Sequence, residues 1–169
     1  MDILPYVDFI FLNEEELDQL FKIFYNNIQF SDEDNSTNNK AKDYNYFIKE
    51  FFSVLDKKNK NKQRLVIITR GSNTTIIYQQ IYKDNSIYNK IHYIPILKIP
   101  YKDIVDTNGA GDCFSGGFLS GIMMGYDIQT SAMFGNIMAS NVLQLSGFQI
   151  PYINIIEKYN KIKMNSLKK

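Results

Sequence analysis

The chain has 169 residues, 44% of them hydrophobic, enough for a buried core. Nineteen basic residues against eighteen acidic ones leave a net charge of +1, which argues against bulk attraction to nucleic acid or to a membrane surface. The single cysteine, Cys113, excludes an internal disulfide and suits a reducing compartment.

The elements can be predicted in chain order. Residues 6–12 (Tyr-Val-Asp-Phe-Ile-Phe-Leu) read as a largely buried strand, and Asn13 as the cap of a helix running from Glu14 to about Asn27 with an acidic first turn. Residues 31–43 are polar, rich in Asn and Asp and without apolar period, which predicts a surface loop. Phe47, Ile48, Phe51, Phe52 and Leu55 recur at helical spacing, predicting an amphipathic helix over 44–55. A solvated basic linker is expected over 56–63.

Residues 64–69 (Arg-Leu-Val-Ile-Ile-Thr) form an apolar run of the kind buried on both faces of a parallel sheet. A turn over 70–73 leads to a second strand over 74–81. Residues 91–97 and 99–105 look extended, with Pro95 and Pro100 keeping them off central ladder positions. An apolar run thus ends at Val105, and Asp106 stands where a helix cap is expected. Helices are predicted over 114–124, over 128 to about 145 with Gly147 as its stop, and over 152 to about 164. Strands alternating with helices point to an α/β sandwich with a mostly parallel sheet, whose ligands gather at the carboxyl ends of its strands. No apolar stretch approaches the roughly 20 residues that span a bilayer, and the N-terminus lacks the features of a secretory signal. A cytoplasmic setting, with the nucleus also open, is the expectation.

The most informative segment is 105–118, Val-Asp-Thr-Asn-Gly-Ala-Gly-Asp-Cys-Phe-Ser-Gly-Gly-Phe. Glycines let the backbone bend tightly, and a helix start leaves N–H groups unpaired with positive potential, so the two together make an anion site. A carboxylate beside such a site, Asp112, is awkward for simple binding but suits a base that takes a proton from a hydroxyl nucleophile. Gly109-Ala110-Gly111 is not a dinucleotide fingerprint, because Phe114 stands at the third Gly position, and Gly71-Ser72-Asn73 is not a Walker loop. Asn13 and Glu16, three apart at a helix start, read by themselves as a capping box. Cys113 reads as a buried small side chain and His92 as structural.

Segment 106–112 resembles the signature of the ribokinase-like (PfkB) sugar and nucleoside kinases, in the spelling that their adenosine kinase branch carries. Residues 4–8 leading to Asn13-Glu14-Glu15-Glu16 are similar to that family's Asn-x-x-Glu segment. Residues 62–71 are similar to its Thr-x-Gly strand and turn, and 134–140 with 146–147 to its last helix. Leu12 departs from the pattern, which has Gly there.

The resemblance implies a ribokinase-like three-layer α/β/α sandwich, here incomplete. It makes residues 1–169 the C-terminal part of a PfkB kinase domain, its nucleotide-binding and catalytic half, without the family's Gly-Gly motif, lid and most of the nucleoside pocket. It implies Asp112 as the base, with Gly109, Ala110 and Gly111 donating N–H groups to the transferred phosphoryl oxygens. Thr69, Gly71, Asn73 and Asn108 would border the nucleotide and Asn136 its adenine; a polar helix residue is the competing account of Asn136. Asn13 and Glu16 would hold Mg2+ through its waters, and Asp106 with carbonyls of Asn108, Val142, Leu145 and Gly147 would hold a monovalent cation such as K+. The implied reaction is phosphoryl transfer from ATP to the 5′-hydroxyl of adenosine, giving AMP in purine salvage, with the chain by itself inactive and the full-length protein a monomer. A sugar kinase of the same family and a non-catalytic nucleotide-binding fragment are the alternatives.

Overall fold

The computed structural model describes residues 3–27, 48, 57–84, 86–147 and 154–166. The expected loop over 31–43 lies outside the described residues, as does the helix expected over 44–55 except for Ile48, which is helical and buried. The described chain divides into two compact units, Met1–Arg70 with Ile76–His92, and Gly71–Thr75 with Tyr93–Lys169.

The first unit is built on strands β1 (Phe9–Asn13), β2 (Arg64–Thr69), β3 (Thr75–Lys83) and β4 (Ser86–Ile94), hydrogen-bonded in that order. β1 runs parallel to β2, with Asn13 opposite Thr69, whereas β3 returns antiparallel to β2, with Ile68 opposite Ile76. The described sheet is therefore mixed rather than mostly parallel: the short turn after β2 permits only an antiparallel return, since a parallel one needs a long crossover. Five of the six β2 residues are buried: Leu65, Val66, Ile67 and Ile68, as their continuous apolar character requires, and Arg64, whose guanidinium donates to the Leu4 carbonyl at 3.0 Å. Val66 and Ile68 of β2, with Ile76 and Tyr78 of β3, pack with Leu17 of helix α1 (Glu14–Asn27) and with Ile48.

Three expectations change here. The first strand begins at Phe9 instead of Tyr6, because Leu4–Tyr6 form a 3-10 turn around Pro5, whose fixed φ and missing N–H suit a turn and not a ladder. Its apolar residues are half-buried rather than buried; β1 stands at one end of the strand order. The basic segment 56–63 is not uniformly solvated. Lys57 is fully buried in an ion pair with Asp8, and its Nζ donates to the carbonyls of Asn59 and Lys62, both at 2.9 Å.

The second unit holds helices α2 (Ala110–Met123), α3 (Ile128–Val142) and α4 (Ile155–Ser166). α2 and α3 touch through glycines. A Cβ on Gly117 would lie 2.7 Å from the carbonyl oxygen of Phe134, one on Gly135 would lie 2.7 Å from that of Phe114, and one on Gly121 would lie 2.7 Å from Cα of Ser131. Phe134 then meets Tyr126 and Tyr159 edge-on, at 5.2 and 5.5 Å between ring centroids, which ties α4 to α3.

Predicted bounds also shift. β4 starts at Ser86, earlier than the extended run expected from Ile91, since its first residues are mostly polar and exposed. Residues 99–105 are not a strand but contain the 3-10 turn Tyr101–Asp103 that follows Pro100. α3 stops at Val142 rather than about Leu145. There Ser140 Oγ and Asn141 Nδ2 donate to the Ile137 carbonyl and Gln144 Nε2 to that of Ser140, so side chains take carbonyls at the helix end. α4 begins at Ile155, with Asn154 Oδ1 accepting from the Glu157 N–H at 3.1 Å; the start expected at Tyr152 lies outside the described residues. Among the described residues no helix is long and apolar enough to cross a membrane.

Candidate functional site

In the first unit the parallel β1–β2 pair brings Asn13 and Thr69 side by side at the carboxyl ends of their strands. The Thr69 hydroxyl donates to the Leu12 carbonyl at 3.4 Å. Asn13 Oδ1 accepts the Glu16 N–H while Glu16 Oε2 accepts the Asn13 N–H, each at 2.8 Å. This is a complete capping box, satisfying two donors that the start of α1 would otherwise leave open. One residue further along, Arg70 Nε donates to Glu14 Oε1 at 3.0 Å, a cross-tie from the end of β2 to the first turn of α1. Nothing in the composition of this stretch singled out Arg70; the only signal was a basic residue in the middle of Thr69-Arg70-Gly71.

A hydrated divalent ion fits Asn13 and Glu16 better than a directly bound one. Both are exposed and each already accepts a backbone N–H, but Glu16 keeps its second carboxylate oxygen for a water of the ion's shell. No group of three His, Cys, Asp or Glu side chains among the described residues is placed to hold a metal directly.

The second unit contains the glycine-rich signature. The cap of α2 is Gly109 rather than Asp106, and its φ of +75° lies in the left-handed region that only glycine enters freely. Asp106 Oδ1 instead accepts the Asn108 N–H at 3.0 Å, shaping the approach. The approach itself is not a strand. The N–H groups of Val105 and Asp106 both donate to the Leu143 carbonyl, at 2.8 and 3.3 Å, which fastens this segment to the end of α3. Asp106 is thus held beside the turn that follows Val142, the neighbourhood expected of the monovalent-cation group.

The Ala110 N–H reaches the Thr107 carbonyl only weakly, at 3.4 Å, and that of Cys113 donates to the Gly109 carbonyl at 2.9 Å. Gly111 and Asp112 lie between them in the first turn, both exposed. A Cβ on Gly111 would meet nothing within 4 Å, so the fold leaves the space over this turn open. Cys113 is buried, and desolvation, reinforced by the Asp112 charge, pushes its thiol pKa up; it is no activated nucleophile.

Gly71, with φ +54°, and Asn73 stand exposed in the turn before β3. Asn136 is buried in α3, and its Nδ2 donates to the Pro95 carbonyl at 3.1 Å, so its amide donor serves the protein interior. His92 Nε2 lies 2.8 Å from Gln79 Oε1, and burial first, then the Lys90 charge, lowers its pKa, in keeping with a structural role.

The sequence profile of the pfkB family of carbohydrate kinases matches residues 1–155. A fission yeast (Schizosaccharomyces pombe) adenosine kinase is 33% identical over 103 residues, covering 59% of this chain and 27% of that protein. The crystal structure of Anopheles gambiae adenosine kinase in complex with P1,P4-di(adenosine-5) tetraphosphate superposes with a TM-score of 0.65 at 30% identity, covering 86% of this chain and 37% of that one. Ribokinase from Thermotoga maritima shares the fold with a TM-score of 0.66 at 22% identity, covering 95% and 44%. The chain therefore spans less than half the length of the relatives it matches.

Proposed function

Because this chain belongs to the pfkB family of carbohydrate kinases, we propose that it is the nucleotide-binding and catalytic half of an ATP-dependent kinase whose acceptor is the 5′-hydroxyl of adenosine. The observation that carries this reading is the first turn of α2. Gly109 is demanded by its backbone angle, whereas Gly111 has ordinary backbone geometry and open space around it. A glycine that the fold does not require, among amides that a helix start leaves unpaired, suits the close approach of a phosphate. The adenosine branch is favoured over a sugar acceptor by the spelling of residues 106–112 and by the adenosine kinases among the relatives.

In the proposed step the acceptor oxygen attacks the γ-phosphorus as the bond from that phosphorus to the β–γ bridging oxygen breaks. ADP leaves, and the hydroxyl proton passes to the Asp112 carboxylate. The amides of Gly109, Ala110 and Gly111 hold the charge on the transferred oxygens, where donors fixed in advance stabilise a transition state. Thr69, Gly71, Asn73 and Asn108 border the nucleotide. Asn136 is assigned to the adenine side, its amide donor already held by the Pro95 carbonyl. Mg2+, when bound, neutralises phosphate charge; Asn13 and Glu16 receive its waters. Asp106, with the carbonyls of Asn108, Val142, Leu145 and Gly147, would hold a monovalent cation such as K+.

The test is the Asp112→Asn variant of the natural polypeptide. Turnover of ATP with adenosine should fall by about two to four orders of magnitude, the range of general-base catalysis, with ATP binding kept. Unchanged turnover removes Asp112 from the step. The 169-residue chain alone is expected to bind ATP and to turn over little.

A further inference from the structure

Arg70 has no role in the reaction as assigned above, yet its surroundings are not those of an ordinary surface arginine. It directly follows Thr69, at the carboxyl end of a strand in a parallel pair, the side of an α/β sheet where ligands collect. Its side chain is 26% exposed and is gripped from one side only, by Nε on Glu14 Oε1. Among the described residues the Nη1 and Nη2 groups make no hydrogen bond. A guanidinium steered by one nitrogen presents its remaining donors in a fixed plane, the arrangement that matches two phosphate oxygens. Gly71 follows, its Cβ position empty for 4 Å around, so the chain does not crowd the space next to Arg70. Were the pair a simple surface salt bridge, it would contribute little, and a lysine would serve as well.

On the kinase reading above, we propose that Arg70 binds the phosphate chain of the nucleoside triphosphate through its Nη edge, with Glu14 acting as the orienting carboxylate. Glu14 is then a positioning residue. Asn13, which caps α1, and Glu16, in its first turn, would receive the hydrated cation of the same phosphate chain.

The experiment is calorimetric titration of the chain with ATP and, separately, with inorganic tripolyphosphate, for the wild type, Arg70→Gln, Arg70→Lys and Glu14→Gln, with circular dichroism to check folding. R70Q should weaken both ligands about tenfold or more, as loss of one charge-assisted pair implies. R70K should recover only part of this, because an ammonium lacks the fork. E14Q should stay within about threefold of wild type or bind more tightly, since a competing carboxylate charge is gone. R70Q affinities equal to wild type overturn the assignment, and so does an E14Q loss as large as that of R70Q, which would mean that the pair only holds α1 in place. If R70Q does not fold, the R70K and E14Q comparison decides: R70K equal to wild type overturns the proposal. A wild-type chain that binds neither ligand overturns the kinase reading itself.

Discussion

Lys57 lies in a run that reads as solvent-facing, Lys-Lys-Asn-Lys-Asn-Lys, yet its ammonium is fully buried. Two carbonyls and the Asp8 carboxylate together take up its donors, which is what makes burial of the charge tolerable. Removing one partner of such a pair costs about 3–5 kcal/mol, at the lower end here because Asp8 is partly exposed. Asp8→Asn should therefore lower the urea midpoint distinctly at pH 7. The Lys57 hydrogen bond holds the Asp8 pKa below its ordinary 3.8, with burial opposing and the Lys57 and Lys62 charges assisting. A depressed carboxyl pKa contributes stability above the unfolded-state value and loses it as pH falls through the folded-state value. The gap in midpoint between wild type and D8N should thus be constant from pH 7 to about 5 and close as pH drops below 4. A gap that does not narrow as the pH falls below 4 would contradict the pairing.

At the scale of elements, α2 and α3 meet because glycines leave their backbones room to approach. Two adjacent glycines of α2 separate this packing role from simple composition. Gly117 has no space for a methyl group, whereas a Cβ on Gly116 would meet nothing within 4 Å. Gly117→Ala should destabilise by about 1–3 kcal/mol through overpacking. Gly116→Ala should be neutral or stabilise by up to about 1 kcal/mol, since alanine is the better helix former. Thermal unfolding of the two variants measures the contrast, and equal midpoints would rule out the close approach of the two helices. The helix segments were legible from their 3.6-residue period and from the cap Asn13, whose Oδ1 accepts the Glu16 N–H at 2.8 Å. Which glycines face a partner helix was not legible, because the sequence reports periodicity and not the distance between two axes.

At the scale of the whole molecule, a ligand that binds only the folded chain raises its stability by mass action, about 2.7 kcal/mol at one hundred times its dissociation constant. ATP with Mg2+ should accordingly raise the thermal midpoint progressively with concentration. A midpoint indifferent to ATP up to millimolar levels would weigh against a nucleotide site. The buried strand 64–69, the helix after Asn13 and the glycine-rich turn could all be read from the sequence, since each is governed by residues close in the chain. So could the family, because its signature is a contiguous run of residues.

Tertiary structure alone decided the rest, and for one reason: partners distant in sequence compete for the same polar groups. The Leu143 carbonyl, not a neighbouring strand, takes the Val105 and Asp106 amides, so the approach to Gly109 is a loop. Pro95 takes the Asn136 amide, and Asp8 holds Lys57 inside. Glu14 takes one edge of Arg70, a residue that no local pattern distinguishes. Local backbone preference and apolar period set which elements form, and the contest among far-apart donors and acceptors sets where they end and which side chains remain for a ligand.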